Sequence, residues 1–107
     1  MVKYITSKAE FDAELAAAGD KLLVIDFTAA WCGPCKMIAP VFEKMAADMK
    51  DCVFLKVDVD DAEELTAFCE VSSMPTFVFF KNGAQVEKFS GANADKLKET
   101  VKKHSKK

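Results

Sequence analysis

Two cysteines separated by two residues, Cys32 and Cys35, lie in the run Trp31-Cys32-Gly33-Pro34-Cys35. Their type and spacing suit reversible thiol–disulfide chemistry. The run falls where an apolar stretch ending at Phe27 gives way to a helical pattern, so it is expected at a helix N-terminus. There, unpaired N–H groups and the helix dipole stabilise a thiolate and lower its pKa, which makes Cys32 the expected nucleophile. Cys35 follows one helical turn later, close enough for a disulfide. Pro34 suits the first helical turn, and Gly33 leaves room for a close partner. In the chain-entropy model a ring of about four residues stabilises by roughly 2 kcal/mol, against about 4.7 for a 100-residue loop. A Cys32–Cys35 bond is therefore expected to cycle and not to staple.

The other chemistry-bearing residues are weighed against this pair. A structural zinc site needs four ligands, and the remaining candidates Cys52, Cys69 and His104 are not paired at ligand spacing, so no metal is expected. Asp26 interrupts the apolar run Leu22–Phe27 six residues before Cys32, and Lys56 interrupts the run Val53–Val59. Burying a carboxylate without a partner is expensive. Two readings follow: a structural Asp26–Lys56 pair, or a carboxyl of raised pKa serving a nearby thiol as base. Pro75 precedes the strand pattern Thr76–Phe80, where a missing N–H is tolerable, and on residue type alone it also reads as a helix terminator. Leu65, Phe68 and Cys69 share a helical face, so Cys69, like Cys52, reads as a small core hydrophobe. The acidic run from Asp58 to Glu64 lacks calcium-loop spacing and reads as a solvated helix start.

The elements that must position these residues follow from the pattern. Val2–Ile5 reads as a short strand. Ser7 with Glu10 forms a capping box for a helix through Ala18, closed by Gly19. Leu22–Phe27 and Val53–Val59 are continuous apolar runs of strand length, as expected when both sheet faces are covered. Between them a helix spans about 32–49, with Met37, Ile38, Val41, Phe42 and Met45 at helical spacing and Pro40 inside it. Asp60 or Asp61 caps a short helix over 62–68. Asn82-Gly83 then joins two antiparallel strands, Thr76–Phe80 and Ala84–Phe89, with Phe77, Phe79 and Phe80 in the core. Asn93 caps a last helix to about Lys103, leaving KKHSKK as a frayed, solvated end. The order βαβαβα then ββα predicts an α/β fold: a mixed five-stranded sheet flanked by four helices.

Composition fits that fold. The chain has 107 residues, 50% of them hydrophobic and 30% charged, which suits one globular domain over 1–107 and excludes a disordered or fibrous chain. Its net charge is −2 and it has no arginine, which argues against a nucleic-acid partner. The first residues, MVKYITSK, contain no secretory apolar core, and no run approaches the roughly 20 residues of a membrane span. A reducing, cytoplasmic setting is expected, in which a disulfide is transient and chemical.

On WCGPCK at Trp31–Lys36, Asp26 upstream, Met74-Pro75-Thr76 and Phe89-Ser90-Gly91-Ala92-Asn93, the chain resembles the thioredoxins, particularly the cytosolic ones of animals. The resemblance spans Val2 to Val101. It implies the thioredoxin fold and a protein disulfide reductase working through Cys32 and Cys35, with Asp26 assisting. It also implies that Pro75 is a cis proline beside the disulfide, letting the Met74 backbone pair with an extended target. Trp31, Gly33, Pro34, Val59, Asp60, Met74, Gly91 and Ala92 match positions lining the substrate groove, and Gly33, Pro34 and Lys56 match positions that tune the redox potential. Cys69 matches a cysteine of animal members that takes part in regulatory oxidation, whereas Ser73 stands where many relatives carry another cysteine. No bound cofactor is implied: the group at work is the Cys32–Cys35 disulfide, with electrons arriving from NADPH through thioredoxin reductase. Implied partners are that reductase and disulfide-bearing targets such as peroxiredoxins, ribonucleotide reductase and methionine sulfoxide reductases, met by a monomer. The rival reading is a redox-independent thioredoxin-fold binding subunit, which a serine at Cys32 or Cys35 would have favoured.

Overall fold

A computed structural model describes residues 2–106. The elements run β1 (Val2–Tyr4), α1 (Lys8–Ala18), β2 (Leu23–Thr28), α2 (Gly33–Asp48), β3 (Val53–Asp58), α3 (Glu63–Phe68), β4 (Thr76–Lys81), β5 (Ala84–Ser90) and α4 (Ala94–Ser105). The strands form one five-stranded sheet in the order β1-β3-β2-β4-β5. β3 pairs in parallel with β1 and β2, and β4 pairs antiparallel with β2 and β5. The expected mixed sheet is therefore present, and the chemistry-bearing strand β2 lies at its centre.

Strand alternation divides the core between the two faces. Leu23, Ile25, Phe27, Leu55, Val57, Val78 and Phe80 pack with Phe11 of α1 and Leu65 of α3. Val24, Phe54, Phe77, Phe79 and Phe89 pack with Ile38, Phe42 and Met45 of α2 and with Leu97 and Val101 of α4. Edge-on contact of Phe42 with Phe54, at 5.4 Å between centroids, anchors α2 on β3. Asp26 and Lys56 are register partners across β2 and β3, and both fall on the face that α2 covers.

Local signals explain most element ends. Ser7 accepts from the Glu10 N–H, but the return arm of the box goes one residue further back: Glu10 Oε1 accepts from the Thr6 N–H at 2.8 Å. Asn82 and Gly83 both have positive φ (53° and 80°), the backbone that a tight primed turn requires. Asn93 caps α4 by accepting from the Lys96 N–H.

Four expectations are corrected. Neither Asp60 nor Asp61 caps α3; its N-cap is Ala62 without a side-chain bond, and the nearby Asx turn is closed by Asp58 accepting from the Asp60 N–H. Phe68 does not share the buried face of Leu65 and Cys69; it is exposed, with the Lys8 ammonium 4.4 Å from its ring centroid. Met37 is exposed too, because the wide apolar stripe of α2 overruns the surface that the sheet can cover. The chain end is not frayed through its described part: α4 runs to Ser105, and Lys81 Nζ donates to the carbonyls of His104 and Lys106, each at 2.6 Å. A cation on the last carbonyls of a helix satisfies them and complements its dipole. Lys107 lies outside the described residues.

Candidate active site

The Cys-Gly-Pro-Cys segment sits at the C-terminal end of β2, where the chain leaves the sheet and enters α2. Cys32 is the N-cap of α2 in extended conformation, with Pro34 in the first turn. The two cysteines form a disulfide, with 5.3 Å between their Cα atoms, so the structure holds the oxidised state. The Cys35 N–H donates to Cys32 Sγ at 3.2 Å. That donor, one of the unpaired N–H groups of the first turn, aims at the sulfur that carries charge when the pair is reduced. Cys32 and Cys35 are 5% and 3% exposed and pack against Ala29, Val59 and Met74.

Around the disulfide the structure gathers the residues that the sequence had singled out. Trp31 is 67% exposed and donates from Nε1 to Asp60 Oδ2 at 3.1 Å. Met74 reaches the site from the loop before β4, its carbonyl oxygen 3.7 Å from Cys32 Sγ. The Met74–Pro75 peptide is cis, as the resemblance implied. The Pro75 carbonyl accepts from the Gly91 N–H at 2.8 Å, which brings the Gly91-Ala92 segment alongside. Gly91 has φ 106°, a backbone that favours glycine. Val59 accompanies Met74 against the cysteines.

Asp26 is 1% exposed, and neither carboxylate oxygen has a hydrogen-bond partner among the described residues. Of the two readings that the sequence left open, the ion pair with Lys56 is thus not formed among the described residues. Lys56, itself buried, sends Nζ toward Glu43 of α2 at 3.9 Å and over the Tyr4 ring at 5.8 Å. Burial pushes the Asp26 pKa up from 3.8 to about 7; the Lys56 charge pulls the other way, and Glu43 adds to the rise. Lys56 and Cys35 line one cleft of about 200 Å³, with Tyr4, Lys36 and Ala39 among its walls. A larger hollow of about 370 Å³, between α2 and α4, is walled by Val41, Met45 and lysines and contains no nucleophile.

Of the other cysteines, Cys69 and Cys52 are buried and unbonded. Burial pushes Cys69 to about 11 and raises Cys52 as well. Among the described residues no three histidine, cysteine or acidic side chains stand together as a metal site, and no helix is long and apolar enough to cross a membrane. Sequence reasoning missed Glu43, an ordinary exposed helical glutamate by pattern. It missed Tyr4 as well, whose place follows only from the β1–β3 pairing.

A dithiol pair capping the helix that follows a strand with a buried carboxyl, with the Met74 backbone facing the nucleophilic sulfur, defines a thiol–disulfide oxidoreductase. The thioredoxin family model matches residues 2–103. Thioredoxin of Gallus gallus is 55% identical over 102 residues, covering 95% of this chain and 97% of that protein. Human thioredoxin is 54% identical, covering 94% and 96%. Among solved structures, Fasciola hepatica thioredoxin superposes with a TM-score of 0.94 at 44% identity, covering 95% of this chain and 98% of that one. The chain belongs to the thioredoxin family and is of the animal type. It is a dithiol–disulfide reductase, and membership implies interaction with a thioredoxin reductase and with disulfide-bearing proteins.

Proposed function

We propose the following division of labour. The Cys32 thiolate attacks one sulfur of a target disulfide, forming a Cys32–target mixed disulfide and releasing the other target sulfur as a thiolate that takes up a proton. Cys35 gives its proton to the Asp26 carboxylate and attacks Cys32 Sγ. The Cys32–Cys35 disulfide forms, and the second target sulfur leaves as a thiolate and is protonated. Two electrons and two protons have then passed to the target. The observation that carries this reading is the Cys35 N–H aimed at Cys32 Sγ at the start of α2. A donor there stabilises charge on Cys32, whereas Cys35 lies a turn inside the helix.

Asp26 suits its part because burial brings it near neutrality, where a base is most effective. Lys56, with Gly33 and Pro34 in the active-site turn, tunes the pair. The groove for the target runs over Trp31, Val59, Asp60, Met74, Pro75, Gly91 and Ala92. There an extended segment pairs with the Met74 backbone, whose N–H has no partner among the described residues. Cys69 is the remaining candidate for regulation, although its burial opposes ready oxidation. The protein acts as a single cytoplasmic domain, is re-reduced by NADPH through thioredoxin reductase, and serves targets such as peroxiredoxins, ribonucleotide reductase and methionine sulfoxide reductases.

The test is reduction of insulin by NADPH with and without thioredoxin reductase. Turnover should require the reductase; Cys32→Ser should abolish it, and Cys35→Ser should trap a mixed disulfide. A Cys32→Ser protein that keeps its full cellular role would favour the binding-subunit reading.

A further inference from the structure

Thr76, the first residue of β4, is almost fully buried beside the site, and its hydroxyl makes two short contacts. Thr76 Oγ1 donates to the Ser73 carbonyl at 2.6 Å and lies 2.7 Å from Ser90 Oγ. The direction of the second bond follows from proton counting. A hydroxyl has one proton and a carbonyl can only accept, so the Thr76 proton is committed to Ser73 and Ser90 must be the donor to Thr76. The result is a directed chain from the Ser90 hydroxyl through the Thr76 hydroxyl to the Ser73 carbonyl. Such chains strengthen each member by polarisation.

The chain ends on the peptide that joins Ser73 to Met74. Fixing the Ser73 carbonyl fixes the plane of that peptide, and the plane contains the Met74 N–H. The other side of Met74 is held separately: its carbonyl faces Cys32 Sγ, and the Pro75 carbonyl is bound by the Gly91 N–H. Ser90 and Thr76 are also register partners across β4 and β5, so the second sheet strand and the loop are tied at one point. No helix or strand pairing holds Ser73 and Met74, which precede β4.

We propose that Thr76 and Ser90 are positioning residues for target binding: their hydroxyl chain locks the Ser73–Met74 peptide so that the Met74 N–H is presented, already oriented, to the backbone of an extended disulfide-bearing segment. This rests on the reading that targets pair with Met74. Its consequence is a split. A peptide target that uses the Met74 N–H should depend on the hydroxyl chain, whereas a small aromatic disulfide that meets only the sulfur should depend on it far less.

The experiment compares three disulfides: a peptide, the same peptide thionated at the carbonyls flanking its cysteine, which weakens them as acceptors for the Met74 N–H, and 5,5′-dithiobis(2-nitrobenzoate). Wild type should prefer the unthionated peptide by about tenfold in kcat/KM, roughly one lost hydrogen bond of about 1.4 kcal/mol. Thr76→Val should lose most of that preference, mainly through KM, and fall several-fold more on the peptide than on the aromatic disulfide. Thr76→Ser should restore it. Ser90→Ala, at an exposed site, should lose part of it and gives the readout if Thr76→Val does not fold. If wild type prefers the unthionated peptide and the folded variants keep that preference in full, the hydroxyl chain has no positioning role. Equal losses on peptide and aromatic disulfide overturn it likewise. If wild type itself does not discriminate, the Met74 pairing fails and this proposal fails with it.

Discussion

Asp26→Ala should make the protein more stable at pH 8 while making it a poorer reductase. The folded carboxyl ionises near pH 7 and the unfolded one near 3.8. Between these values the folded state binds the proton and the unfolded state releases it, so stability falls as pH rises from about 4 to about 7 and levels off above. At about 1.4 kcal/mol per tenfold change in proton affinity, the full penalty is about 4 kcal/mol. Removing the carboxyl abolishes the penalty but leaves a small cavity in the packing around Val24 and Phe77, which costs about 1–2 kcal/mol. The net gain at pH 8 is then about 2–3 kcal/mol. The cavity cost does not depend on pH, so the variant-minus-wild-type difference should change by about 4 kcal/mol between pH 4 and pH 8, whatever the cavity costs. Urea unfolding of the disulfide form across that range measures it, and shared titrations of other groups cancel in the difference. Insulin reduction by the same variant should slow by about tenfold to a hundredfold, as Cys35 loses its proton acceptor. A difference flat to within about 1 kcal/mol would refute the desolvation argument. A variant less stable at pH 8 with normal turnover would make Asp26 a structural partner of Lys56.

The neighbours of Asp26 should move its titration in opposite directions. Lys56→Met removes the charge that favours the carboxylate and should shift its carbon-13 titration upward in pH, whereas Glu43→Gln should shift it downward. Limiting iodoacetamide at pH 7 should label Cys32 first in the reduced protein, because burial holds the Cys69 thiol near 11; mass mapping that finds Cys35 or Cys69 ahead would reverse the assignment. Lys81→Met should loosen the end of α4, since two bonds to its last carbonyls are lost. At about 1 kcal/mol each, amide exchange over residues 102–105 should quicken by at least about fivefold.

The chemistry was legible in the sequence because it is local. Two cysteines one turn apart after an apolar strand, with Pro34 in the first turn, specify a helix-capping dithiol by short-range geometry alone. Alternating apolar runs and the Asn82-Gly83 turn likewise specify the mixed sheet, since strand period and turn conformation are properties of adjacent residues. Asp26 and Lys56 also announced themselves, as charges inside strands that are otherwise apolar. What they do to each other was not legible. The sequence allowed a buried ion pair, and only the packing of α2 across β3 sends the Lys56 ammonium toward Glu43 and leaves the Asp26 oxygens without partners. The same limit applies to Met37 and Phe68, apolar by type but set beyond the area that the sheet can cover, and to the α4 terminus, pinned by a lysine more than twenty residues away in the chain. Helical spacing says which residues share a face; how wide a face is buried, and which distant cation meets a helix end, depend on how layers dock. Residue type and spacing therefore decided which groups do the chemistry, and long-range packing decided their charge states, because a carboxyl's proton affinity depends on the water and partners that the whole fold leaves it.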